Sequence, residues 1–506
     1  MSSSQLLDLF VIGGGINGAG IANDAAGRGL KVALCEQADL ASATSSASSK
    51  LIHGGLRYLE HKEFRLVREA LHEREVLLNK APHIVWPLRF ILPHQPHLRP
   101  AWMLRAGLFL YDHLSPRTSL PSARSLNFAR EFGADSPLAA GIKRGFEYSD
   151  CWVDDARLVI LNALQAQEKG AQILVRTRCI EASERDGIWH IVLEDVGSGA
   201  RFERQARALV NAAGPWVESF IRGHSSRTPR LGINMIKGSH IIVPRINTDE
   251  RAYILQNTDK RIVFVLPYQR DFSLVGTTDV AYQGDPSQLS ISEAEIDYLL
   301  AVLDDHFKAS VSREQIVASY SGVRPLCDDE SSDPSAMTRD YTLDLDLGGD
   351  GKQGAPMLSV FGGKITTFRK LAEAALTKLG PFFPEMGPAW TASQPLPGGD
   401  ISGRLEYAAD LRRRYSWLDE QNAERLASSY GSLCERFLTT DETSMGEHFG
   451  AGLTARELDY LVEHEWAREV QDVLWRRTKL KLRLDAPACQ RVADYLAKQT
   501  QTPEPA

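Results

Sequence analysis

Cysteine is scarce in this 506-residue sequence, and no two cysteines form a C-x-x-C pair. The six cysteines are scattered between positions 35 and 489. This spacing does not match the motifs of zinc sites or iron–sulfur clusters, and we expect no bound metal. Scattered cysteines without a pairing pattern are typical of proteins that work in a reducing compartment.

Long hydrophobic runs and an excess of positive charge are also missing. No stretch has the roughly 18 apolar residues of a membrane-spanning helix, and the nearest approach, residues 98–114, is interrupted by Arg105 and Asp112. The first residues lack the basic and long apolar regions of a secretory signal, so none is expected. The formal net charge of −7 argues against a protein that binds nucleic acid.

Strand and helix patterns alternate in a way that predicts an α/β (α+β) fold. Strand–turn–helix units are predicted at residues 6–36, 207–220 and 357–379, which is the pattern of a nucleotide-binding sheet. Between them, residues 233–280 are rich in β-branched residues and predict a meander of antiparallel strands. The sequence therefore predicts a Rossmann-like domain interleaved with an antiparallel β-rich domain.

The first strand–helix unit contains a dinucleotide motif, Gly13-x-Gly15-x-x-Gly18. Gly13 permits a tight turn, Gly15 lets the backbone approach a pyrophosphate, and Gly18 lets the helix pack close to the strand. The helix N-terminus then faces the anion. Glu36, at the end of the second predicted strand, is placed to accept hydrogen bonds from an unphosphorylated ribose. The alternative is an ordinary βα turn, but strand, glycines, helix and acidic residue all occur in the required order.

The stretch SATSSASSKLIHGGLRYLE, residues 42–60, favours FAD over NAD as the dinucleotide. Its serines offer hydroxyl and N–H groups to phosphates, and Gly54 and Gly55 let the backbone lie against a ring. A second glycine pair, Gly362 and Gly363, precedes a predicted helix whose positive end would face the electron-rich edge of a flavin. The alternative, a mobile serine linker, would separate two parts of one compact unit.

These motifs resemble the FAD-dependent glycerol-3-phosphate dehydrogenase family of the respiratory, aerobic type. The resemblance covers nearly the whole chain and rests on VIGGGINGAGIANDAAGRGL, ATSSASSKLIHGGLRYLE, RPAWMLRAGLFLYDHL, GFEYSDCWVDDARL, NAAGPWV, IKGSHIIVPR, YSGVRPL, SVFGGKITTFRKLAE and HEWAREVQDVLWRRTK. It implies oxidation of sn-glycerol 3-phosphate to dihydroxyacetone phosphate by hydride transfer to N5 of a non-covalent FAD. Electrons are then expected to pass to ubiquinone.

The resemblance also implies a location and a division of the chain. The protein is expected as a peripheral homodimer on the cytoplasmic side of the inner membrane. After a Pro/Gly-rich linker at residues 393–400 the strand signal fades, which predicts a helical domain. We expect FAD-binding segments at about 1–80, 145–220 and 340–392, substrate-binding segments at about 81–144 and 221–339, and a helical C-terminal domain at 401–506.

The glycine turns and the resemblance together place residues from the three FAD-binding segments at the cofactor. The expected set is Gly13, Gly14, Gly15, Asn17, Gly18, Glu36, Ser45, Ser46, Ser49, Lys50, Leu51, Gly54, Gly55, Ala213, Gly214, Trp216, Gly362, Gly363, Lys364 and Thr366.

The substrate site is expected to combine cations with a base. A phosphorylated substrate is a dianion and requires Arg or Lys donors, and Arg57 follows the glycine pair that is expected to touch the flavin. Tyr58 either bonds the substrate or fills the core. By resemblance, His240 and Arg324 line the pocket. The proton acceptor is a side chain or water, and His240 is a candidate because histidine can take a proton near neutral pH. Lys364 serves the flavin, the substrate or both.

Two segments are candidates for contact with a membrane surface. Residues 98–114 combine aromatic and aliphatic side chains with arginines, as interfacial helices do. The run WRRTKLKLR, residues 475–483, places five cations within nine residues and is a candidate for anionic lipid.

Three rivals stay open from the sequence. They are a glycerol-3-phosphate oxidase that uses oxygen, a related FAD-dependent amino-acid oxidoreductase, and a nucleotide-binding sensor without catalytic activity.

Overall fold

The computed structural model describes residues 6–60, 62–115, 119–327, 340–348 and 354–501. Its strands are β1 (Leu7–Ile12), β2 (Val32–Glu36), β3 (Leu51–Ile52), β4 (Val85–Pro93), β5 (Arg124–Asn127), β6 (Arg144–Val153), β7 (Gln172–Val175), β8 (Thr177–Arg185), β9 (Ile188–Asp195), β10 (Arg201–Asn211), β11 (Ile233–Pro244), β12 (Ala252–Gln256), β13 (Ile262–Tyr268), β14 (Phe272–Gly276), β15 (Val280–Tyr282), β16 (Ala318–Cys327), β17 (Tyr341–Asp346), β18 (Met357–Gly362), β19 (His448–Gly450) and β20 (Leu453–Thr454).

Its α-helices are α1 (Ile16–Gly27), α2 (Phe64–Lys80), α3 (Ala101–His113), α4 (Phe128–Glu131), α5 (Asp155–Glu168), α6 (Val217–His224), α7 (Glu293–His306), α8 (Phe368–Leu379), α9 (Arg404–Arg414), α10 (Glu420–Tyr430), α11 (Ala455–His464) and α12 (Ala486–Gln501). Short 3₁₀ turns lie at Thr44–Ser46, Leu56–Leu59, Gly214–Trp216 and Ile365–Thr367, and a π-helical turn at Asp472–Arg477.

The nucleotide-binding sheet is built on parallel strands in the order β18-β10-β1-β2-β7, with β17 antiparallel at one edge. Helices α1, α5 and α8 pack together beside it. Because β1 is covered on both faces, its sequence LDLFVI is an almost continuous apolar run. The predicted Rossmann-like sheet is confirmed.

The second sheet contains ten strands within the described chain, in the order β15-β11-β14-β13-β12-β4-β6-β3, with β16 paired to β11 and β5 to β6. The predicted β-rich domain is confirmed, and its strands are mostly antiparallel. Strand β6 lies here although residues 145–153 were assigned to an FAD-binding segment. The reason is its register: β6 pairs with β4 from Val153 to Gly145, so its hydrogen bonds belong to the second sheet.

The C-terminal domain is helical, as predicted, and consists of α9 to α12 with a small β19–β20 hairpin. It shares one hydrophobic cluster with the nucleotide-binding domain, and that cluster runs from Ala22 in α1 and Leu161 in α5 to Leu426 in α10 and Leu458 in α11. The two domains are therefore packed through a common apolar core.

Buried ion pairs cross the same junction. Asp39, at 2% exposure, accepts from Arg476 and Arg477 of the π-helical turn. The buried Arg157 of α5 is paired with the buried Glu465. These contacts correct the expectation that residues 475–483 meet lipid, because most of its cations are used inside the protein. The sequence shows the five cations of this run but not their partners.

All six cysteines are buried, and the described residues contain no disulfide. In the described ranges, the helices are all too short or too polar to cross a membrane.

We predict that Asp39→Asn lowers the free energy of unfolding at pH 7 by roughly 3–5 kcal/mol, because the buried side chain of Arg477 and the 12% exposed side chain of Arg476 lose this carboxylate. Burial alone would raise the pKa of Asp39, but Arg477 and Arg476 outweigh it and hold this pKa below its ordinary value. A lowered carboxyl pKa stabilises the fold above pH of about 4, and this stabilisation is lost as the pH falls. In urea titrations at pH 7 and pH 3, the free energy of unfolding should therefore fall more between the two pH values for the wild type than for the variant.

The matched control is Glu168→Gln, since Glu168 pairs with Arg436 across the same junction with both side chains about half exposed. Exposed pairs contribute less than about 1 kcal/mol. Equal losses for the two variants would show that the buried pair has no special role.

Candidate functional site

The first glycine turn leaves no room for side chains. Gly13 has a φ of +107°, and a Cβ at this position would lie 2.5 Å from the carbonyl oxygen of Ala212. A Cβ on Gly18 would lie 1.9 Å from the carbonyl oxygen of Gly13. The end of β10, which leads into Ala213 and Gly214, is thus pressed against the turn that joins β1 to α1. These are the close approaches that the dinucleotide motif predicts.

The N-terminus of α1 lies beside the serine-rich segment. The first helical amide, Ile16 N, donates to Ser45 Oγ at 2.9 Å. The Glu36 carboxylate, at the end of β2, accepts from Gly14 N at 2.7 Å and from Ala38 N at 2.8 Å. Burial raises the pKa of Glu36, and the two amide donors offset part of that increase. Helix end, hydroxyl and carboxylate are therefore assembled where a dinucleotide's phosphates and ribose are expected.

The second glycine pair meets the same helix. Gly362 and Gly363 have φ values of +74° and +98°. Asn17 Nδ2 donates to Gly362 O at 3.1 Å, and a Cβ on Gly363 would lie 2.9 Å from that same nitrogen. Asn17 Oδ1 is buried and accepts no hydrogen bond from the described residues. A tight backbone cradle with an unused acceptor fits the flavin part of FAD.

Residues 364–366, directly after this pair, contact residues 53–58, at the end of the stretch 42–60. His53 N donates to Thr366 Oγ1 at 3.3 Å, and the Lys364 ammonium lies 4.1 Å from the centroid of the Tyr58 ring. Gly54 N, in the other glycine pair, donates to Tyr111 Oη at 2.8 Å. Residues distant in sequence thus surround one cradle.

His240 forms the other side of the site. It lies on β11 opposite Gly276 of β14, where a Cβ would come within 2.2 Å of the imidazole. Its ring stacks on Tyr320 with centroids 4.8 Å apart, and Nε2 is 2.9 Å from Ser49 Oγ. The side chain is buried, and Nδ1 has no hydrogen-bond partner in the described part of the chain.

His240 is neutral at physiological pH. Burial, followed by the positive charges of Lys50 and Arg324, lowers its pKa to about 3. The neutral imidazole has the free lone pair that a general base requires, although so low a pKa makes it a weaker base than an unperturbed histidine.

The predicted cations differ in how the structure uses them. Arg324 is partly exposed and donates to Thr278 O at 3.2 Å, with Asp279 2.6 Å away. Lys50 is buried and its ammonium pairs with Asp155 Oδ1 at 2.7 Å. The Lys50 ammonium also donates to Ser46 O at 3.1 Å, and a contact of Lys50 with the cofactor stays a prediction. The Arg57 side chain lies outside the described atoms.

The structure brings most of the predicted residues together, but three important neighbours were missed. Asp155 and Asp279 are single acidic residues without a motif, and Tyr320 is one aromatic residue in a strand. The sequence "WVDDARL" held one usable signal, namely two acidic residues at a predicted helix start. The hydroxyl of Ser49 lies 2.9 Å from Nε2 of His240, and its contact with the cofactor stays a prediction.

Comparison with known proteins agrees with this geometry. The family pattern described as FAD dependent oxidoreductase matches residues 8–361, and the C-terminal domain of alpha-glycerophosphate oxidase matches residues 389–504. The aerobic glycerol-3-phosphate dehydrogenase of Escherichia coli is 59% identical, with 98% of each chain covered. The D-erythritol 1-phosphate dehydrogenase of Brucella abortus is 50% identical, with 96% of each chain covered.

Among solved structures, the glycerol-3-phosphate dehydrogenase of Bacillus halodurans complexed with FAD superposes with a TM-score of 0.75. It is 25% identical, and the match covers 98% of this chain and 94% of the other.

We predict that Gly18→Ala lowers the affinity for flavin at least about tenfold, or 1.4 kcal/mol, because the new methyl group meets the Gly13 carbonyl. The measurement is the ratio of flavin to protein absorbance after desalting. Gly141→Ala is the control, since no described atom lies within 4 Å of a Cβ at that glycine. A Gly18→Ala protein that stays fully yellow would show that this turn does not hold the cofactor.

Proposed function

Because this chain belongs to the FAD-dependent glycerol-3-phosphate dehydrogenase family, we propose that it oxidises sn-glycerol 3-phosphate to dihydroxyacetone phosphate. The observation that carries the proposal is His240, a buried neutral imidazole near Lys50 and Arg324 whose Nδ1 has no hydrogen-bond partner among the described residues. FAD is the cofactor, and when bound it supplies the two-electron acceptor for the hydride that leaves the substrate carbon.

Three elements of the chain would hold the cofactor. The glycine turn before α1 and its helix end receive the pyrophosphate, and Glu36 receives the ribose. The Gly362–Gly363 cradle and the Gly54–Gly55 turn receive the flavin. Because glycines have no side chain, the backbone of these turns would be able to lie directly against the ring.

His240 would take the hydroxyl proton of the substrate. When Nε2–H donates to Ser49 Oγ, Nδ1 carries the lone pair and is the nitrogen available to accept. The position of the ring is fixed, because Tyr320 stacks against it and the backbone of Gly276 packs closely against it. General-base help of this kind contributes about 10²–10⁴-fold.

Cations would bind the phosphate and polarise the alcohol. Arg324, Lys364 and Arg57 are the donors that we assign to this role. Asp279 holds the Arg324 guanidinium beside the strand end at Thr278, so that it is oriented before substrate arrives.

The decisive experiment is anaerobic mixing of the holoenzyme with sn-glycerol 3-phosphate, D-erythritol 1-phosphate or glycine. We expect loss of the flavin absorbance near about 450 nm with glycerol 3-phosphate at the lowest concentration. Bleaching only by D-erythritol 1-phosphate would show that this ester, and not glycerol 3-phosphate, is the substrate. Bleaching only by glycine would identify an amino-acid oxidoreductase. A protein that binds no FAD would favour the sensor.

His240→Asn is the matched variant in this experiment. It should keep its FAD yet reduce the flavin about 10²–10⁴-fold more slowly at saturating substrate. Since the pKa of His240 is about 3, the wild-type rate should show no loss near pH 6.5, where an unperturbed histidine becomes protonated. An unchanged rate in the variant would remove His240 from the mechanism.

We further propose that α3 attaches the protein to the cytoplasmic face of the inner membrane, where ubiquinone accepts the electrons. The helix buries Leu108 and Tyr111 but exposes Trp102 at 71% and Phe109 at 58%. Met103 and Leu110 extend this exposed apolar face. Aromatic and aliphatic side chains beside arginines are typical of interfacial helices. The homodimer stays a prediction.

Replacing both Trp102 and Phe109 by Glu should weaken co-sedimentation with anionic vesicles more than about tenfold, since each aromatic side chain contributes roughly 1.5–3 kcal/mol when buried. Reduction of a membrane quinone should fall in parallel, while reduction of a water-soluble dye should not. The control is Leu405→Glu, which changes an equally exposed leucine on α9.

Unaltered vesicle binding in the double variant would show that α3 is not the membrane contact. Stoichiometric peroxide from the wild type, with no response to quinone, would identify an oxidase instead.

A further inference from the structure

Asp155 is a buried acidic residue at the start of α5 that the mechanism above does not use. It is 0% exposed. One carboxylate oxygen accepts from Ser48 Oγ at 2.8 Å and from Ser48 N at 3.2 Å, and the other accepts from the Lys50 ammonium at 2.7 Å. Asp155 therefore holds the two neighbours of Ser49 and leaves Ser49 itself to another partner.

That partner is His240, whose Nε2 lies 2.9 Å from Ser49 Oγ. The backbone bends sharply here, because Lys50 has a φ of +56°, which L-residues rarely adopt. Lys50 N also donates to Ser48 Oγ at 2.9 Å. The hydroxyl of Ser49 is thus presented by a turn that would relax without the carboxylate of Asp155.

A second set of contacts leads to the same imidazole. The Lys50 ammonium lies 5.3 Å from the centroid of the Tyr320 ring, and Tyr320 stacks on His240. Tyr320 Oη donates to Ser48 O at 2.8 Å. Two series of contacts therefore connect the carboxylate of Asp155 to His240. One runs through Ser48 and Ser49, and the other through Lys50 and Tyr320.

The C-terminal domain fixes the other side of Asp155. Its neighbour Asp154 pairs with the buried Lys479, and Arg157 pairs with Glu465. A cavity of about 10 Å³, the size of one water molecule, lies between Lys50, Asp155 and Lys479. The first turn of α5 is thus held rigidly by residues from two domains.

We propose that Asp155 is a positioning residue for the reaction, which sets the orientation of His240 by holding Ser48 and Lys50 on either side of Ser49. Through Lys479 and Asp154, the C-terminal domain supports this arrangement. The inference rests on the proposed function for its kinetic consequences, and on the contacts above for its structural ones.

The kinetic test is a double-mutant cycle with Asp155→Asn and Ser49→Ala, measured by anaerobic flavin reduction in holoenzyme. Asp155→Asn should slow reduction at saturating substrate by about 100-fold, with little change in KM and in flavin content. Since both residues act on one imidazole, the double variant should be no slower than the slower single variant. If the factors by which the two single substitutions slow flavin reduction multiply in the double variant, the proposal is overturned.

The matched control is Glu457→Gln. Glu457 is as buried as Asp155 and pairs with Arg425, but within the C-terminal domain. This variant also breaks a buried ion pair, so its stability should fall while the reduction rate stays within about twofold. Should Asp155→Asn fail to fold, Asp155→Asn with Lys50→Met removes both charges and should show the same slow reduction. Slow reduction in the Glu457→Gln variant would indicate a general effect of instability and overturn the assignment.

A spectroscopic readout separates this inference from the identity of the substrate. In ¹⁵N-histidine-labelled holoenzyme without substrate, the His240 signals are those missing from His240→Asn. Asp155→Asn should shift the Nε2 signal in the same direction as Ser49→Ala, because both release the hydrogen bond. An unmoved signal in Asp155→Asn would overturn the inference, whereas failure of glycerol 3-phosphate to reduce the wild type would affect only the proposed function.

Discussion

The burial of opposite charges at the first turn of α5 is the constraint on which the arrangement of the whole molecule depends. Asp154, Asp155 and Arg157 each pair with a different partner, one in the active-site segment and two in the C-terminal domain. Buried pairs add little net stability, since desolvation offsets their attraction, but a misplaced partner is costly. The shared apolar cluster supplies the stability, and the charges select one relative placement of the domains.

In the proposed mechanism the base lies among cations, so the same charges act on the substrate and on the base. The positive charges that attract a phosphate would also repel a proton from a neighbouring imidazole. Burial and the charges of Lys50 and Arg324 lower the pKa of His240 together. Phosphate binding and the neutral state of His240 therefore depend on the same electrostatic field, and neither requires a change of protonation near neutral pH.

The hydrogen bonds of the serine-rich segment, residues 42–49, explain why small polar residues occur there. Its hydroxyls are divided between two tasks. Ser45 meets the first amide of α1, whereas Ser48 and Ser49 connect Asp155 to His240. The hydroxyls of Ser45 and Ser48 each accept from a backbone amide, whereas that of Ser49 contacts a side chain.

The sequence by itself determined the nucleotide-binding sheet, the β-rich second sheet, the helical C-terminal domain and the glycine turns, because these follow from local periodicity and from backbone conformations that only glycine allows. It did not reveal that the basic run at residues 475–483 is largely buried, or that β6 belongs to the second sheet. It also did not show that Lys50 points to Asp155. Those outcomes depend on which partners meet across long distances in the chain. Only the tertiary structure decides them, because the partner of a charged side chain or of a strand is a residue far away in the sequence.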